Sequence, residues 1–211
     1  MIQPTEKSLK MVQEISSKGI PTFHHHYFVL MDIANTFKKK KITYVEIGAY
    51  AGASAALMLS RPKTNVVSID TAEVFTKGQV VQNIKSLGLK TENYTYIEGD
   101  SKDDSTRLLL EYNLNEVFKV GGIDILFIDG DHTRQGVFFD FINYKDFVNS
   151  GGFIVFDDYN DHIHSPEVKG AVDNIVDGFR ESFAIIGCYP NNVGAYPESL
   201  KESNCFIIQK L

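Results

Sequence analysis

Cysteine is scarce: Cys188 and Cys205 are the only two in 211 residues. They make neither a disulfide framework nor a CxxC metal pair, and buried thiols are the simplest expectation. No apolar run reaches the roughly 18 residues that span a bilayer. The N-terminal stretch carries Glu6, Lys7, Lys10 and Glu14, a pattern that argues against a signal peptide. A cytoplasmic protein with no membrane partner is expected. Basic charge is also short, with 21 Lys and Arg against 27 Asp and Glu and a formal net charge of -6. That balance disfavours generic binding to nucleic acid. The one basic run, Lys38-Lys39-Lys40-Lys41, precedes a strand and suits a solvated helix end, where cations meet the negative pole of the helix dipole. No repeat, low-complexity tract or linker divides the chain, so one domain is expected.

What is present alternates. Helical periodicity marks Ser8 to Ser16 and Tyr27 to Lys39, followed by a strand at Ile42–Ile47 and a helix from near Ala53. Strands at Asn65–Asp70 and Tyr94–Glu98 alternate with helices over Lys77–Leu87 and Lys102–Tyr112. Two apolar strands, Ile123–Asp129 and Gly152–Asp157, flank a helix across Phe138–Phe147. Phe138, Phe139, Phe141 and Phe147 read as core. Ser165-Pro166-Glu167 opens a further helix, with serine as N-cap, that is expected to end near Phe183. Strands at Ala184–Tyr189 and Cys205–Gln209 close the chain. Such a succession predicts an α/β fold: a doubly wound, mostly parallel sheet with helices on both faces. Residues 1–41 would form N-terminal helices of the same domain, and 42–211 its core.

Chemistry gathers at the strand ends, where ligands bind in open α/β sheets. The first strand runs into a turn from Glu46 to Ser54 that holds Gly48 and Gly52. These glycines are four apart and miss the GxGxxG spacing, which disfavours a pyrophosphate ligand and an NAD-type oxidoreductase. Asp70 ends the second strand, at the position of a carboxylate that commonly takes a ribose diol. Gly99-Asp100-Ser101 follows the third, placed to bond a base edge. Asp129-Gly130-Asp131-His132 follows the fourth, and Asp157-Asp158 the fifth. Carboxylates converging with an imidazole suggest a hard-cation site beside a general base. Taken alone, Asp129 and Asp158 also suit turn or helix caps, and His132 a capping or surface role.

Glu46-x-Gly48-x-x-x-Gly52, Asp70, Gly99-Asp100 and Gly151-Gly152 together resemble the motifs of class I S-adenosylmethionine methyltransferases, from about Tyr27 to the C-terminus. Phe127-Ile128-Asp129-Gly130-Asp131-His132, followed by Phe156-Asp157-Asp158-Tyr159, resembles the subgroup that includes cephalosporin-hydroxylase-like and macrolide-sugar O-methyltransferases. The resemblance implies a Rossmann-like sheet ordered 3-2-1-4-5-7-6 with the seventh strand antiparallel. It implies a cofactor site drawn from Glu46, Gly48, Ala49, Tyr50, Gly52, Ser54, Asp70, Asp100, Ser101, Asp129 and His132. It also implies an Mg²⁺ site of Asp129, Asp157 and Asp158, with His132 as base. The activity to expect is methyl transfer to a hydroxyl of a small molecule or glycan. A metal-independent methyltransferase is the first alternative.

Three further segments invite readings. His24-His25-His26 cannot place three rings on one helix face and reads as a loop near the pocket, with Tyr27 beside it. Asp161, His162 and His164 suit either the acceptor pocket or a solvated loop. Tyr189, Asn191, Asn192 and Tyr196, in and beside the turn-rich segment 190–201, hint at a polar acceptor such as a glycan. Apolar faces on the N-terminal helices would also suit a homo-oligomer.

Overall fold

The computed structural model describes residues 6–21, 28–38, 40–189 and 205–211. The histidine triplet, Tyr27 and the segment 190–201 lie outside these residues. The elements are α1 (Glu6–Ser17), α2 (Phe28–Thr36), β1 (Ile42–Ile47), α3 (Ala53–Leu59), β2 (Thr64–Asp70), α4 (Lys77–Ser86), β3 (Tyr94–Glu98) and α5 (Asp104–Tyr112). They continue as β4 (Ile123–Ile128), α6 (Arg134–Tyr144), β5 (Val148–Phe156), α7 (Val168–Gly178), β6 (Phe183–Tyr189) and β7 (Cys205–Lys210).

The seven strands form one sheet in the order β3-β2-β1-β4-β5-β7-β6. The first five pair in parallel, and β7 runs antiparallel to both β5 and β6. The expected α/β Rossmann-like architecture is therefore the one observed. Its cause is visible in the strands. All six residues of β1 and all six of β4 are buried, as a parallel sheet covered on both faces requires.

Strand alternation splits the core into two layers. Tyr44, Val66, Phe127, Val155 and Ile207 face α1 to α4, and Val12, Ile15 and Leu30 pack into this layer. Val45, Val67, Leu126, Ile154 and Ile208 face the other side, with Leu110, Phe141 and Ile175. Among the described residues no helix is long and apolar enough to cross a membrane.

Four sequence expectations need correction. First, α7 begins at Val168 and is capped by neither the Ser165 hydroxyl nor any other side chain. It ends at Gly178, and Phe183 opens β6. Second, β5 starts at Val148 and passes through Gly151 at φ 78, a value that suits glycine. Third, Phe138 and Phe139 are exposed at 41% and 38%, and of the phenylalanines on that helix only Phe141 is fully buried. Finally, the helix after Tyr112 continues as a π-turn over Asn113–Val117, which the periodicity did not suggest.

Candidate active site

The C-terminal edge of the parallel strands is held in line by backbone hydrogen bonds. Gly48 N–H donates to Ile69 carbonyl at 2.9 Å, Gly99 N–H to Asp70 carbonyl at 2.9 Å, and Asp129 N–H to Ile47 carbonyl at 2.9 Å. Above this edge lies a cavity of about 600 Å³ lined by Gly48, Tyr50, Asp70, Asp100, Ser101, Asp129 and His132, with Glu73, Lys102 and Asp131 at its walls. That volume suits a cofactor-sized ligand. Gly48 makes the close approach possible: at φ 90, an added Cβ would lie 1.9 Å from the Asp129 carbonyl oxygen. Gly52, by contrast, packs on α4, since its Cβ would meet Val80 Cγ1 at 2.7 Å.

At β1 and β2 each carboxylate is met by donors. Glu46 is fully buried and accepts from Tyr44 Oη at 2.7 Å, Ser54 Oγ at 2.6 Å and Ser68 Oγ at 2.5 Å. Burial pushes it up to about 7, against the pull of the three hydroxyls. Glu46 and Ser54 are therefore not on the cavity wall, as the motif suggested, but beneath the turn that forms it. Both sit on the buried side of β1 and α3 and bond each other. Asp70 accepts from Ala49 N–H at 2.7 Å, Tyr50 N–H at 3.0 Å and Ala72 N–H at 2.7 Å. It anchors the β1 turn from the neighbouring strand while still facing the cavity. Two oxygens offer about four lone-pair sites and three are taken, so about one remains for a ligand hydroxyl.

At β4 and β5 the carboxylates meet one another. Asp129, His132 and Asp158 bring ligand atoms within 4.8 Å of each other. His132 Nε2 lies 3.4 Å from Asp129 Oδ1, and Nδ1 lies 3.4 Å from Asp158 Oδ2. Ser165 Oγ ties the group together, 2.9 Å from His132 Nδ1 and donating to Asp158 Oδ2 at 2.7 Å. Burial, then the Asp157 charge, pushes Asp129 well above the usual carboxylate range. The Asp129 hydrogen bond lifts His132 to about 9.

Asp157 departs from the expected metal set. Successive strand residues point to opposite faces. Asp157 continues the face of Phe153 and Val155, where its Oδ1 accepts from the Cys205 thiol at 3.5 Å. Asp158, at φ 55, turns toward His132 instead. The cluster is thus Asp129, His132 and Asp158, with Asp157 acting through its charge. Sequence reasoning also missed Ser165, assigned as a helix cap, and Lys102, which bridges the cavity to Asp131 at 2.7 Å. Asp161 accepts from the backbone N–H groups of Ile163 and His164, and its Oδ2 lies 3.1 Å from His164 Nδ1, so these residues order their own loop. His132 and Asp129 thus fall at the junction of the cavity and the cluster.

Two carboxylates and an imidazole fit a divalent cation, because the positive charge would relieve the mutual repulsion that holds Asp129 high. The acidic wall of the cavity fits a cationic cofactor. It carries Asp70, Glu73, Asp100, Asp129 and Asp131 against Lys102 and His132.

Residues 45–159 match the methyltransferase domain family. A protein of Acanthamoeba polyphaga mimivirus, R132, is 41% identical over 181 residues, covering 82% of this chain and 79% of the other. Among solved structures, MycE methyltransferase from the mycinamycin biosynthetic pathway, in complex with Mg, SAH and mycinamycin VI, superposes with a TM-score of 0.62 at 17% identity. That match covers 94% of this chain and 54% of MycE. A putative rRNA methylase from Clostridium thermocellum reaches 0.61 at 15% identity, over 87% of this chain and 96% of its own. The site, the fold and these likenesses agree: the chain belongs to the family of S-adenosylmethionine-dependent methyltransferases.

Proposed function

We propose that this enzyme transfers a methyl group from S-adenosylmethionine to a hydroxyl of a small molecule or sugar, with a divalent cation such as Mg²⁺ held by Asp129 and Asp158. The observation that carries this reading is the joining of an acidic cavity to the Asp129–His132–Asp158 cluster at one sheet edge. S-adenosylmethionine supplies an electrophilic methyl on a positively charged sulfur, and five wall carboxylates favour that charge. The cation, when bound, would lower the pKa of an acceptor hydroxyl and orient its oxygen.

The chain's own residues do the rest. Gly48 brings the β1 turn against the end of β4, and Asp70 holds that turn. Ser165 and Asp158 fix the His132 ring at Nδ1, leaving Nε2 on the Asp129 side as the atom that takes the hydroxyl proton. Positive charge beside Asp129 opposes protonation of the imidazole, so the base role and the cation support each other. MycE, which was solved with Mg, lends the reading support by its fold.

A second reading is favoured by one observation. The His132 ring already spans both carboxylates at 3.4 Å each, so an imidazolium there is a counter-charge in place of a metal. Methyl transfer from labelled S-adenosylmethionine to a panel of alcohols, sugars and RNA, with and without EDTA, separates the two. The first reading expects acid-stable methyl ether products that vanish in EDTA and return with Mg²⁺. His132→Ala should lower kcat by about 10²–10⁴-fold and leave cofactor affinity almost unchanged. Full turnover in EDTA moves the answer to the metal-independent reading, and transfer only to RNA refutes the small-molecule acceptor.

A further inference from the structure

Asp140 is a fully buried carboxylate on α6, in no motif at a strand end. Among the described residues its one hydrogen bond is with a cavity residue: Ser101 Oγ donates to Asp140 Oδ1 at 2.5 Å. One turn along the same helix, Tyr144 Oη donates to the Ser101 carbonyl at 3.0 Å. Two groups four positions apart share a helix face, so α6 grips the side chain and the backbone of one residue together. Gly130 completes the enclosure. A Cβ there would lie 3.1 Å from Ile47 Cγ2 and 3.4 Å from Asp140 Oδ2. Burying a carboxylate is costly unless it is bonded, and burial lifts Asp140 to about 7. A carboxylate kept at that cost behind a single serine invites a reason.

The reason follows from the hydroxyl. A serine has one proton and two lone pairs. With its proton committed to Asp140, Ser101 Oγ can only accept from a ligand in the cavity it lines. Ser101 follows β3, at the outer end of the strand order and beyond the ribose-facing Asp70 of β2, with Asp129 and His132 on the opposite side at β4. That end of the cavity is left for the base.

We infer that Asp140 is a positioning residue that fixes Ser101 as a hydrogen-bond acceptor, so that the cavity selects a purine bearing an amino group over one bearing an oxo group at the same position. The inference rests on the cavity being the S-adenosylmethionine site. An amino group donates to Ser101, whereas an oxo group would place lone pairs against lone pairs.

The test compares S-adenosylhomocysteine with its deaminated analogue S-inosylhomocysteine by calorimetry at a pH of about 8.5, where Asp140 is ionised. Wild type is expected to prefer the adenosyl compound by at least about tenfold. In Asp140→Ala the freed hydroxyl can rotate and donate to the oxo group, so the preference should narrow to about threefold or less. Asp140→Leu fills the same buried space and should behave alike. Asp140→Asn keeps an accepting oxygen and should retain the preference. A merely structural role would lower both affinities and leave their ratio alone. An unchanged ratio in folded Asp140→Ala or Asp140→Leu overturns the inference. Failure of wild type to bind either compound instead overturns the reading of the cavity.

Discussion

At the ends of β1 and β2 every carboxylate is met by donors, whereas at the ends of β4 and β5 the carboxylates face one another across a single imidazole. Glu46 takes three hydroxyls and Asp70 three backbone N–H groups. Asp129 instead carries the charges of Asp157 and Asp158, offset by His132. The first half of the edge is a finished scaffold, its carboxylates already bonded by the chain's own donors. The second half is completed by positive charge. A parallel sheet allows this division because each strand end is shaped by its own loop while the backbone ladder keeps the ends aligned.

The two halves depend on each other most where they touch. Gly48→Ala would drive a Cβ to 1.9 Å from the Asp129 carbonyl oxygen at a φ of 90. The β1 turn must then leave β4, and a loss of more than about 4 kcal/mol, or failure to fold, is expected in chemical denaturation. A variant that melts like wild type would show the halves to be independent.

The finished half also has its own pH signature. Glu46 sits at about 7 in the folded protein, above its ordinary value. Between those values the folded state keeps a proton that the unfolded chain has lost. The Glu46 contribution therefore falls as pH rises from about 4.5 to about 7 and is level above, by on the order of 3 kcal/mol. Glu46→Gln should flatten that part of the stability profile measured between pH about 5 and about 8. An identical slope in the variant would mean that Glu46 stays ionised.

A smaller effect sharpens the role of Asp70. Asp70→Asn keeps the shape but turns one acceptor into a donor, facing either Ala72 N–H or the Ala49 and Tyr50 pair. A stability loss of about 1–3 kcal/mol, together with weaker binding of S-adenosylhomocysteine, is expected. Weaker binding with unchanged stability would make Asp70 a ligand contact and not an anchor of the turn.

Much of this was legible in the sequence. Ile42–Ile47 and Tyr94–Glu98 are strands with the bounds their composition suggests, because buried β-branched runs have few alternatives. The acidic strand ends pointed to the cavity because parallel topology places all of them on one edge. Tertiary relations were less visible. Ser165 carries the local signature of a helix cap, but its hydroxyl is taken by Asp158 of its own loop and His132 of the loop after β4. The Asp157-Asp158 pair reads as two ligands, and only strand alternation and the backbone turn at Asp158 separate them. Asp140 lies mid-helix with no neighbour in sequence to betray Ser101, 39 positions away.

The most direct test of the charge-completed half is a calorimetric titration of Mg²⁺ into the protein saturated with S-adenosylhomocysteine, comparing wild type with Asp158→Asn. A saturable heat is expected in wild type and at least about tenfold weaker binding in the variant, with S-adenosylhomocysteine affinity the same in both. Identical isotherms for the two proteins, or no Mg²⁺ binding by wild type, would contradict this expectation and leave His132 as the cluster's own counter-charge.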